Sequence, residues 1–310
     1  MKLLITGGAG FLGSHLCEFL IKMGHKVVAI DNLYTGSLKN IEHMLDLENF
    51  EFIHHDINLP IKIDADGIFN LACPASPVHY QKDPIGTFYT CVFGSHNMLQ
   101  LAQANGVRIL QASTSEVYGD PKISPQDESY WGNVNTIGVR SCYDEGKRAA
   151  ETLFSDFNSI YNVDIRIARI FNTYGPKMAT DDGRVVSNFI IQALRNEPLT
   201  IYGDGSQVRS LCYVEDLIEG LVKLFFSKKY NGPINLGNPQ PIKMKDLADE
   251  IISLTGSKSQ VIYLPLPKDD PKTRVPDVTR AKEILAWEPV INRNIGLEKT
   301  ISYFRSILDT

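Results

Sequence analysis

Two side chains of the segment SCYDEGKR are spaced for proton transfer. Tyr143 and Lys147 are four residues apart, so on a helix they lie on one face. A free phenol has a pKa near 10, and bringing it to about 7 requires roughly 4 kcal/mol. An ammonium group in a partly desolvated cleft contributes an effect of this kind. The pair therefore fits a tyrosine base activated by a lysine, although the same spacing also occurs on ordinary surface helices.

A second chemical signal is the spacing of Gly7, Gly10 and Gly13, which follow the first predicted strand and open the first predicted helix. Glycine lets the backbone approach a pyrophosphate, and a helix N-terminus offers free N–H groups and positive potential. Asp31 closes the second predicted strand about 20 residues further on, as a dinucleotide fingerprint requires. Its carboxylate would accept hydrogen bonds from ribose hydroxyls and repel a 2′-phosphate, so we expect NAD rather than NADP.

The cofactor site is expected to extend from this glycine loop along the ends of the next strands. Asp56 and Ile57, which end the third predicted strand, are placed to flank an adenine. The residues that we expect to contact the cofactor are Gly7, Gly10, Phe11, Leu12, Gly13, Asp31, Asn32, Gly36, Asp56, Ile57, Leu71, Ala72, Tyr143 and Lys147.

These residues are carried by short apolar strands that alternate with helices. The predicted strands read KLLIT, KVVAI, FEFIHH, GIFNLA, RILQAS and DIRIARI, and helices are expected near 11–23, 84–105, 141–161, 184–195, 214–226, 243–255 and 279–285. This alternation predicts an α/β fold with a doubly wound parallel sheet of the Rossmann type. We expect an NAD-binding domain over 1–172, with later segments contributing to it, and a smaller, mainly substrate-binding lobe over 173–310.

The composition of the 310 residues bounds the function further. A net charge of −5 argues against a nucleic-acid binder that works through a basic field. No stretch approaches the roughly 18 to 20 apolar residues of a membrane span, and we expect a cytoplasmic protein. The five cysteines are scattered and lack a CxxC pair, which is typical of reduced thiols, and we expect no metal.

The glycine pattern, STSEVYG, YDEGK and the chain length resemble the extended short-chain dehydrogenase/reductases that act on nucleotide sugars. The resemblance implies that Tyr143 takes a proton from a sugar hydroxyl while hydride passes to NAD. It also implies that Lys147 holds the nicotinamide ribose and lowers the pKa of the tyrosine. A hydroxyl, that of Thr114 here, would hydrogen-bond the reacting oxygen.

Longer segments resemble the branch of this family that converts UDP-glucuronate to UDP-xylose. They include ACPASPVHYQKDP, ILQASTSEVYGDP, RIARIFNTYGP, DGRVVSNFI and PLTIYGDGSQVRS. The resemblance implies oxidation at C4, loss of CO2 from the resulting β-keto acid, protonation of the enolate at C5 and return of hydride to C4. Net redox is then zero, and NAD should stay bound.

Residues 114–116 distinguish this branch from the related 4,6-dehydratases, which carry Thr-Asp-Glu there. Ser115 stands where their aspartate protonates the leaving 6-hydroxyl, so the acid for elimination of water is missing. Decarboxylation needs no strong acid at that position. We expect Glu116 to organise the region around C5, and the alternative is a salt-bridged carboxylate beside the cleft.

Four further residues match family positions that hold the substrate. Arg274 is expected near the sugar, where it would meet the carboxylate and stabilise oxyanion charge. Asn172, Arg184 and Arg209 are expected to hold the UDP portion, because arginine binds diphosphate in a bidentate manner. The chain departs from the family pattern at Tyr89, Val208 and Val275, and Tyr89 replaces a lysine expected near the substrate.

Several alternatives remain open at this point. A decarboxylase that releases the UDP-4-keto-pentose also carries Ser-Glu before VYG, and a 4-epimerase of a UDP-sugar or uronate is a further reading. A non-catalytic NAD-binding sensor is a remote one, because such proteins typically lose the Tyr–Lys pair. The resemblance also implies a homodimer in which the helices near 84–105 and 141–161 pair with their copies as a four-helix bundle.

Overall fold

The computed structural model describes residues 1–230, 232–267, 271 and 273–308. The strands are β1 (Lys2–Thr6), β2 (Lys26–Asp31), β3 (Phe50–His54), β4 (Gly67–Asn70), β5 (Arg108–Thr114), β6 (Ile165–Ile170), β7 (Thr173–Tyr174), β8 (Leu199–Tyr202), β9 (Val208–Ser210), β10 (Cys212–Tyr213), β11 (Ile234–Leu236), β12 (Pro241–Lys243), β13 (Val261–Leu264) and β14 (Thr273–Arg274). The helices are α1 (Phe11–Lys22), α2 (Pro77–Tyr80), α3 (Pro84–Tyr89), α4 (Ser95–Asn105), α5 (Ser141–Tyr161), α6 (Val185–Leu194), α7 (Val214–Phe226), α8 (Met244–Thr255), α9 (Thr279–Leu285) and α10 (Arg293–Leu308).

Seven strands form one parallel sheet in the order β11–β6–β5–β4–β1–β2–β3. All six predicted strands are in it, which confirms the predicted doubly wound α/β fold. The direction of winding reverses at β1, which pairs with β2 on one side and β4 on the other. Ligands of such sheets bind beyond the carboxyl ends of the strands at this reversal.

Both faces of the sheet are covered by helices, which explains the continuous apolar strands. Leu3 and Ile5 of β1 point into a core shared with α1 and α7. Leu4 points to the other face, into a core shared with α4 and α5. Because successive strand residues alternate between faces, every position of β1 from Leu3 to Ile5 is buried.

The structure divides one predicted helix and adds elements that were not predicted. The helix predicted near 84–105 is α3 and α4 joined by a π-helical turn over Thr90–Gly94. Helix α10 was not predicted, because its mixed sequence lacks a strong apolar stripe. Strand β11 joins the main sheet beside β6, with Leu236 opposite Ile170, although it follows the helices of the second half.

The remaining strands form small sheets above the carboxyl edge. Strand β9 pairs with β12 and β14, and β8 pairs with β13. Residues 268–270 and 272 of the segment LPLPKDDPKTRVPD lie outside the described residues, whereas Arg274 lies within them. Across the part of the chain that is described, no helix is long and apolar enough to span a membrane.

Candidate active site

A cavity of about 1240 Å³ lies at the carboxyl ends of the central strands and brings together every predicted site residue except Gly36. It extends from the glycine loop to the segments around β9 and β14. The predicted residues that line it are Gly7, Gly10, Phe11, Leu12, Gly13, Asp31, Asn32, Asp56, Ile57, Leu71, Ala72, Thr114, Glu116, Tyr143, Lys147, Asn172, Arg184, Arg209 and Arg274.

The glycine loop is packed so closely that side chains would not fit. Gly7 has a φ of +70°, and a Cβ there would lie 3.0 Å from the Cα of Ala72. A Cβ on Gly13 would lie 2.0 Å from the carbonyl oxygen of Gly7. Helix α1 begins directly after this loop without a side-chain cap at Gly10. Its first turn therefore offers backbone N–H groups to the cavity, which fits the pyrophosphate of a dinucleotide.

Asp31 is fixed at the end of β2 by two backbone groups. Its Oδ2 accepts a hydrogen bond from the Ala9 N–H at 3.1 Å, and its Oδ1 accepts one from the Leu33 N–H at 2.8 Å. Burial raises the pKa of this carboxyl, and the two hydrogen bonds oppose the rise. Gly36 lies against it, since a Cβ there would be 2.7 Å from Oδ1. Each carboxylate oxygen keeps a lone pair for a ribose hydroxyl.

Tyr143 and Lys147 face the cavity from helix α5 and are both buried. The Tyr143 ring stacks on that of Tyr80, with centroids 5.1 Å apart and planes 5° from parallel. The Lys147 Nζ donates to the carbonyl of Ala112 at 2.8 Å and lies 5.8 Å from the Tyr143 ring centroid. The side chain of Thr114 is hydrogen-bonded to Tyr143. The three residues of the expected proton-transfer group therefore come together.

Burial raises the pKa of the Tyr143 phenol well above its usual value, although the hydrogen bond with Thr114 lowers it. Within the chain alone, the effect of burial therefore exceeds the opposing effect of this hydrogen bond. A phenol that acts as a base near neutral pH consequently needs a further positive charge beside it.

The carboxylate of Glu116 lies between two guanidinium groups. Arg140 Nη2 donates to Oε2 at 2.7 Å, and Arg274 Nη1 lies 3.0 Å from Oε1. Burial by itself would raise the pKa of Glu116, but the charges of Arg274 and Arg140 bring it to about 2. Arg274 also donates to the Ser115 Oγ at 3.0 Å and to the Gly119 carbonyl at 2.9 Å. Glu116 is therefore a permanently ionised group at neutral pH.

Asp144, the neighbour of Tyr143, titrates near neutral pH. Burial and then the negative charge of Glu116 raise the pKa of its carboxyl to about 7, against the attraction of Arg140 and Arg274. Its Oδ1 is buried and has no hydrogen-bond partner among the described residues. When Asp144 is protonated, two arginines face the single negative charge of Glu116. The wall of the cavity then carries a net positive charge that suits an anionic sugar.

The residues predicted to hold the substrate come from different elements. Arg209 of β9 lies opposite Arg274 of β14 in parallel register. Arg184 precedes α6, and its Nε and Nη2 donate to the two carboxylate oxygens of Asp182 at 2.5 and 2.7 Å. Asn172 follows β6, and its backbone carbonyl accepts the Cys212 N–H at 2.9 Å. All four side chains line the cavity, and the Arg184 guanidinium lies 5.8 Å from the ring centroid of Phe11, at the start of α1.

The three positions that depart from the family pattern have ordinary structural environments. Tyr89 is half exposed at the end of α3, and its ring meets that of Phe93 edge to face. Val275 is buried, and its backbone exchanges two hydrogen bonds with Gln126. Val208 lies in β9 between β12 and β14. Tyr89 therefore presents its ring to Phe93 rather than a charge to a ligand.

Several contributors were not predicted from the sequence. Arg140 precedes Tyr143 by three residues at the start of α5, a spacing that brings its side chain to the same end of the helix. No spacing signal links Tyr80 to Tyr143 or Asp182 to the cavity, because their contacts depend on loops. Cys73 also lines the cavity, directly after the predicted residues Leu71 and Ala72.

Comparison with known proteins identifies the family of the chain. The model of the NAD dependent epimerase/dehydratase family matches residues 3–237. UDP-glucuronic acid decarboxylase 4 of Arabidopsis thaliana is 53% identical over 305 residues, covering 98% of this chain and 69% of the relative. UDP-glucuronic acid decarboxylase 1 of Danio rerio is 52% identical over 308 residues, covering 99% and 73%. The structure of a UDP-glucuronic acid 4-epimerase from Bacillus cereus, in complex with UDP-glucuronic acid and NAD, matches with a TM-score of 0.89 at 28% identity, covering 99% of this chain and 100% of the epimerase.

Proposed function

The chain belongs to the NAD dependent epimerase/dehydratase family, and we propose that it decarboxylates UDP-glucuronic acid to UDP-xylose with NAD as a recycled cofactor. The observation that carries the proposal is the positive wall formed by Arg140 and Arg274 beside Tyr143 in one cavity. A substrate whose sugar bears a carboxylate next to the reacting carbon fits that charge. Decarboxylases of UDP-glucuronic acid that are 52 to 53% identical over nearly the whole chain support the same assignment.

The cofactor fits the side of the cavity that the glycine loop forms. Gly7, Gly10 and the start of α1 would hold the pyrophosphate, and Asp31 would hold the adenosine ribose. Lys147 would hold the nicotinamide ribose from the buried side of α5. Bound NAD supplies a hydride acceptor for C4 of the sugar and a positive ring.

Proton transfer at C4 falls to Tyr143, whose phenol is hydrogen-bonded to Thr114. Because burial opposes ionisation of this phenol, the positive charge of the occupied site and of Lys147 would bring its pKa down toward the working range. Thr114 would orient the C4 oxygen during removal and return of the proton. Stacking on Tyr80 keeps the Tyr143 ring in one orientation.

Loss of CO2 from the 4-keto acid requires an electron sink at C4 and no acid beside C6. Glu116 remains ionised with a pKa of about 2, so it does not donate a proton to a leaving hydroxyl. Ser115 has no acidic proton of the required strength. The arrangement therefore disfavours elimination of water and is compatible with breakage of the C5–C6 bond. Arg274 would stabilise the developing negative charge next to this bond.

We further propose a homodimer built from α3, α4 and α5 as a four-helix bundle. The supporting observation is a set of large apolar side chains that these helices and the π turn leave exposed: Ile85, Phe88, Tyr89, Phe93, Ile160 and Tyr161. We also propose a cytoplasmic location, in accord with five free cysteines, and a division into a cofactor domain over 1–172 and a mainly substrate-binding lobe over 173–310.

The function is tested by incubating purified protein with UDP-glucuronic acid, without added cofactor, and following the sugar by proton NMR. Formation of UDP-xylose supports the proposal and indicates tightly held NAD. A UDP-4-keto-pentose with accumulating NADH assigns the chain to the releasing decarboxylases. UDP-galacturonic acid assigns it to the 4-epimerases, an outcome for which the Bacillus cereus structure provides the precedent. An unchanged spectrum, even with added NAD, contradicts the proposed activity.

A further inference from the structure

Two cysteines meet beside the catalytic helix. The sulfur of Cys73 lies 3.3 Å from that of Cys91. Cys73 follows β4 and is partly exposed to the cavity, whereas Cys91 is buried in the π-helical turn between α3 and α4. The two residues are 18 positions apart, so the contact results from the fold rather than from local sequence.

Cys91 packs directly against the part of α5 that carries Tyr143 and Lys147. A Cβ added to Gly146 would lie 3.0 Å from the Cβ and 3.1 Å from the sulfur of Cys91. A movement of the Cys91 side chain would therefore displace the turn of α5 between Tyr143 and Lys147. The dithiol pair thus contacts both the cavity, through Cys73, and the catalytic helix, through Cys91.

The pKa values of the two thiols are shifted in opposite directions. The hydrogen bond between the two sulfurs, and then the charge of Lys147, lower the pKa of Cys73 against the effect of burial. The same hydrogen bond and burial raise the pKa of Cys91. The thiolate is the reactive form, and Cys73 is the sulfur that reaches the cavity, whereas Cys91 is buried behind it. Cys73 is therefore placed to react first with an oxidant, and Cys91 is placed to attack it in turn.

We propose that Cys73 and Cys91 are a redox modification site that a hydroperoxide oxidises to a disulfide, reversibly disabling the Tyr143–Lys147 pair. The Cys73 thiolate attacks one oxygen of hydrogen peroxide, which breaks the O–O bond and leaves a sulfenic acid and hydroxide. The Cys91 sulfur then attacks the Cys73 sulfur, and the sulfenic oxygen leaves as water. The two thiols lose two electrons in all, and the two thiol protons go with the peroxide oxygens into two molecules of water.

The disulfide changes the geometry next to the catalytic pair. A bonded sulfur pair is about 2.05 Å apart, so the two sulfurs must approach by more than 1 Å from their contact distance. This movement takes Cys91 away from Gly146 or draws Cys73 out of the cavity wall. Since a displacement of about 1 Å at a catalytic group costs up to about 100-fold in rate, we expect turnover to fall about tenfold or more.

The test treats the purified full-length protein with increasing hydrogen peroxide, blocks the remaining thiols with iodoacetamide and maps the peptides by mass spectrometry. We expect a Cys73–Cys91 cross-link as the first product, turnover of UDP-glucuronic acid that falls in step with the cross-linked fraction, and recovery of both after dithiothreitol. Cys91→Ser removes one of the two sulfurs and should give no cross-link, and its turnover before treatment serves as the reference for its own response to peroxide. Cys212→Ala, which retains the pair, should respond as the unaltered chain does.

Oxidation of the two thiols one by one without a cross-link would overturn the assignment of the pair. A complete cross-link with unchanged turnover would overturn its effect on the catalytic helix. The peptide map does not depend on the proposed function, so the modification can be judged even if UDP-glucuronic acid is not the substrate.

Discussion

Arg274 contacts both oxygens of the Glu116 carboxylate, with Nη1 3.0 Å from Oε1 and Nη2 3.2 Å from Oε2. Both side chains are largely buried, and Arg140 adds a second positive charge to the same carboxylate. A bidentate pair of this kind fixes orientation as well as charge. Glu116 thereby acts as the counterion that fixes the orientation of Arg274. The two arginines carry one more charge than Glu116 neutralises, and an anionic sugar in the cavity would contact this excess positive charge.

Replacing Arg274 with lysine tests this relationship. Arg274→Lys keeps the charge but loses the planar fork that contacts Ser115, Glu116 and Gly119 together. We expect kcat/KM for UDP-glucuronic acid to fall about 100-fold, which corresponds to roughly 2.7 kcal/mol. Steady-state kinetics by coupled CO2 detection measure it. Arg305→Lys, an exposed position of α10, is the matched control, and equal losses in both variants would argue against a specific role for the fork.

Tyr143→Phe removes the phenolic oxygen while keeping the ring that stacks on Tyr80. Because the proton at C4 then has no acceptor, we expect turnover to fall by about 100- to 10,000-fold. The affinity for NAD, measured by calorimetry, should stay within about twofold because the phenol contributes only one of many contacts. Tyr263→Phe, on the half-exposed strand β13, is the control. Turnover that survives in Tyr143→Phe would remove this residue from the mechanism.

Asp31→Asn changes the charge at the ribose site and keeps the side-chain shape. The amide oxygen can still accept from one backbone N–H, but the repulsion of a 2′-phosphate disappears. We expect NAD affinity to weaken about tenfold and NADP affinity to rise, so the ratio of the two dissociation constants moves toward one. Calorimetric titration with each dinucleotide measures this, with the exposed Asp64→Asn as control. An unchanged ratio would indicate that another residue selects the cofactor.

The raised pKa of Asp144 predicts that the free energy of unfolding depends on pH. Its folded-state pKa is raised to about 7, so between about pH 4 and pH 7 the folded chain holds a proton that the unfolded chain has released. The free energy of unfolding should therefore fall as pH rises through this window, by up to about 4 kcal/mol for a shift of about three units. Asp144→Asn cannot titrate and should escape this loss.

Urea unfolding of Asp144→Asn and the unaltered chain between pH 4 and pH 9 measures the effect. The stability of the variant relative to the unaltered chain should increase from pH 4 to pH 7 and stay constant above. Asp156→Asn, at an exposed position of the same helix, should show no such increase. A difference that does not change with pH would show that Asp144 titrates normally in the folded protein.

Much of the fold was predictable because its signals are local. The apolar strands and the 21-residue helix Ser141–Tyr161 follow from composition and periodicity, and the structure has that helix at the predicted bounds. The π turn at Thr90–Gly94 was not predictable, since its residues continue an ordinary helical pattern. Helix α10 has mixed polarity, so it forms through tertiary packing of Leu297, Ile301 and Phe304 rather than through a strong periodic stripe.

The place of a site residue was predictable where it depends on residue type at a fixed spacing. Tyr143, Lys147 and the glycine loop are cases of this kind, and the structure brings them to one cavity. The partners of Glu116 were not predictable, because Arg140 and Arg274 approach it from elements 24 and 158 positions away. The direction of the Tyr143 pKa also required the structure, since burial is a property of the whole fold.

The most direct test of the account uses UDP-glucuronic acid that carries deuterium at C4. The purified protein is incubated with it in ordinary water without added cofactor, and the product is analysed by mass spectrometry and proton NMR. We predict UDP-xylose that retains deuterium at C4, since the atom removed from that carbon is the one returned after CO2 is lost. Recovery of unreacted substrate, or of UDP-xylose with protium at C4, would contradict a decarboxylation that oxidises and re-reduces the same carbon within one site.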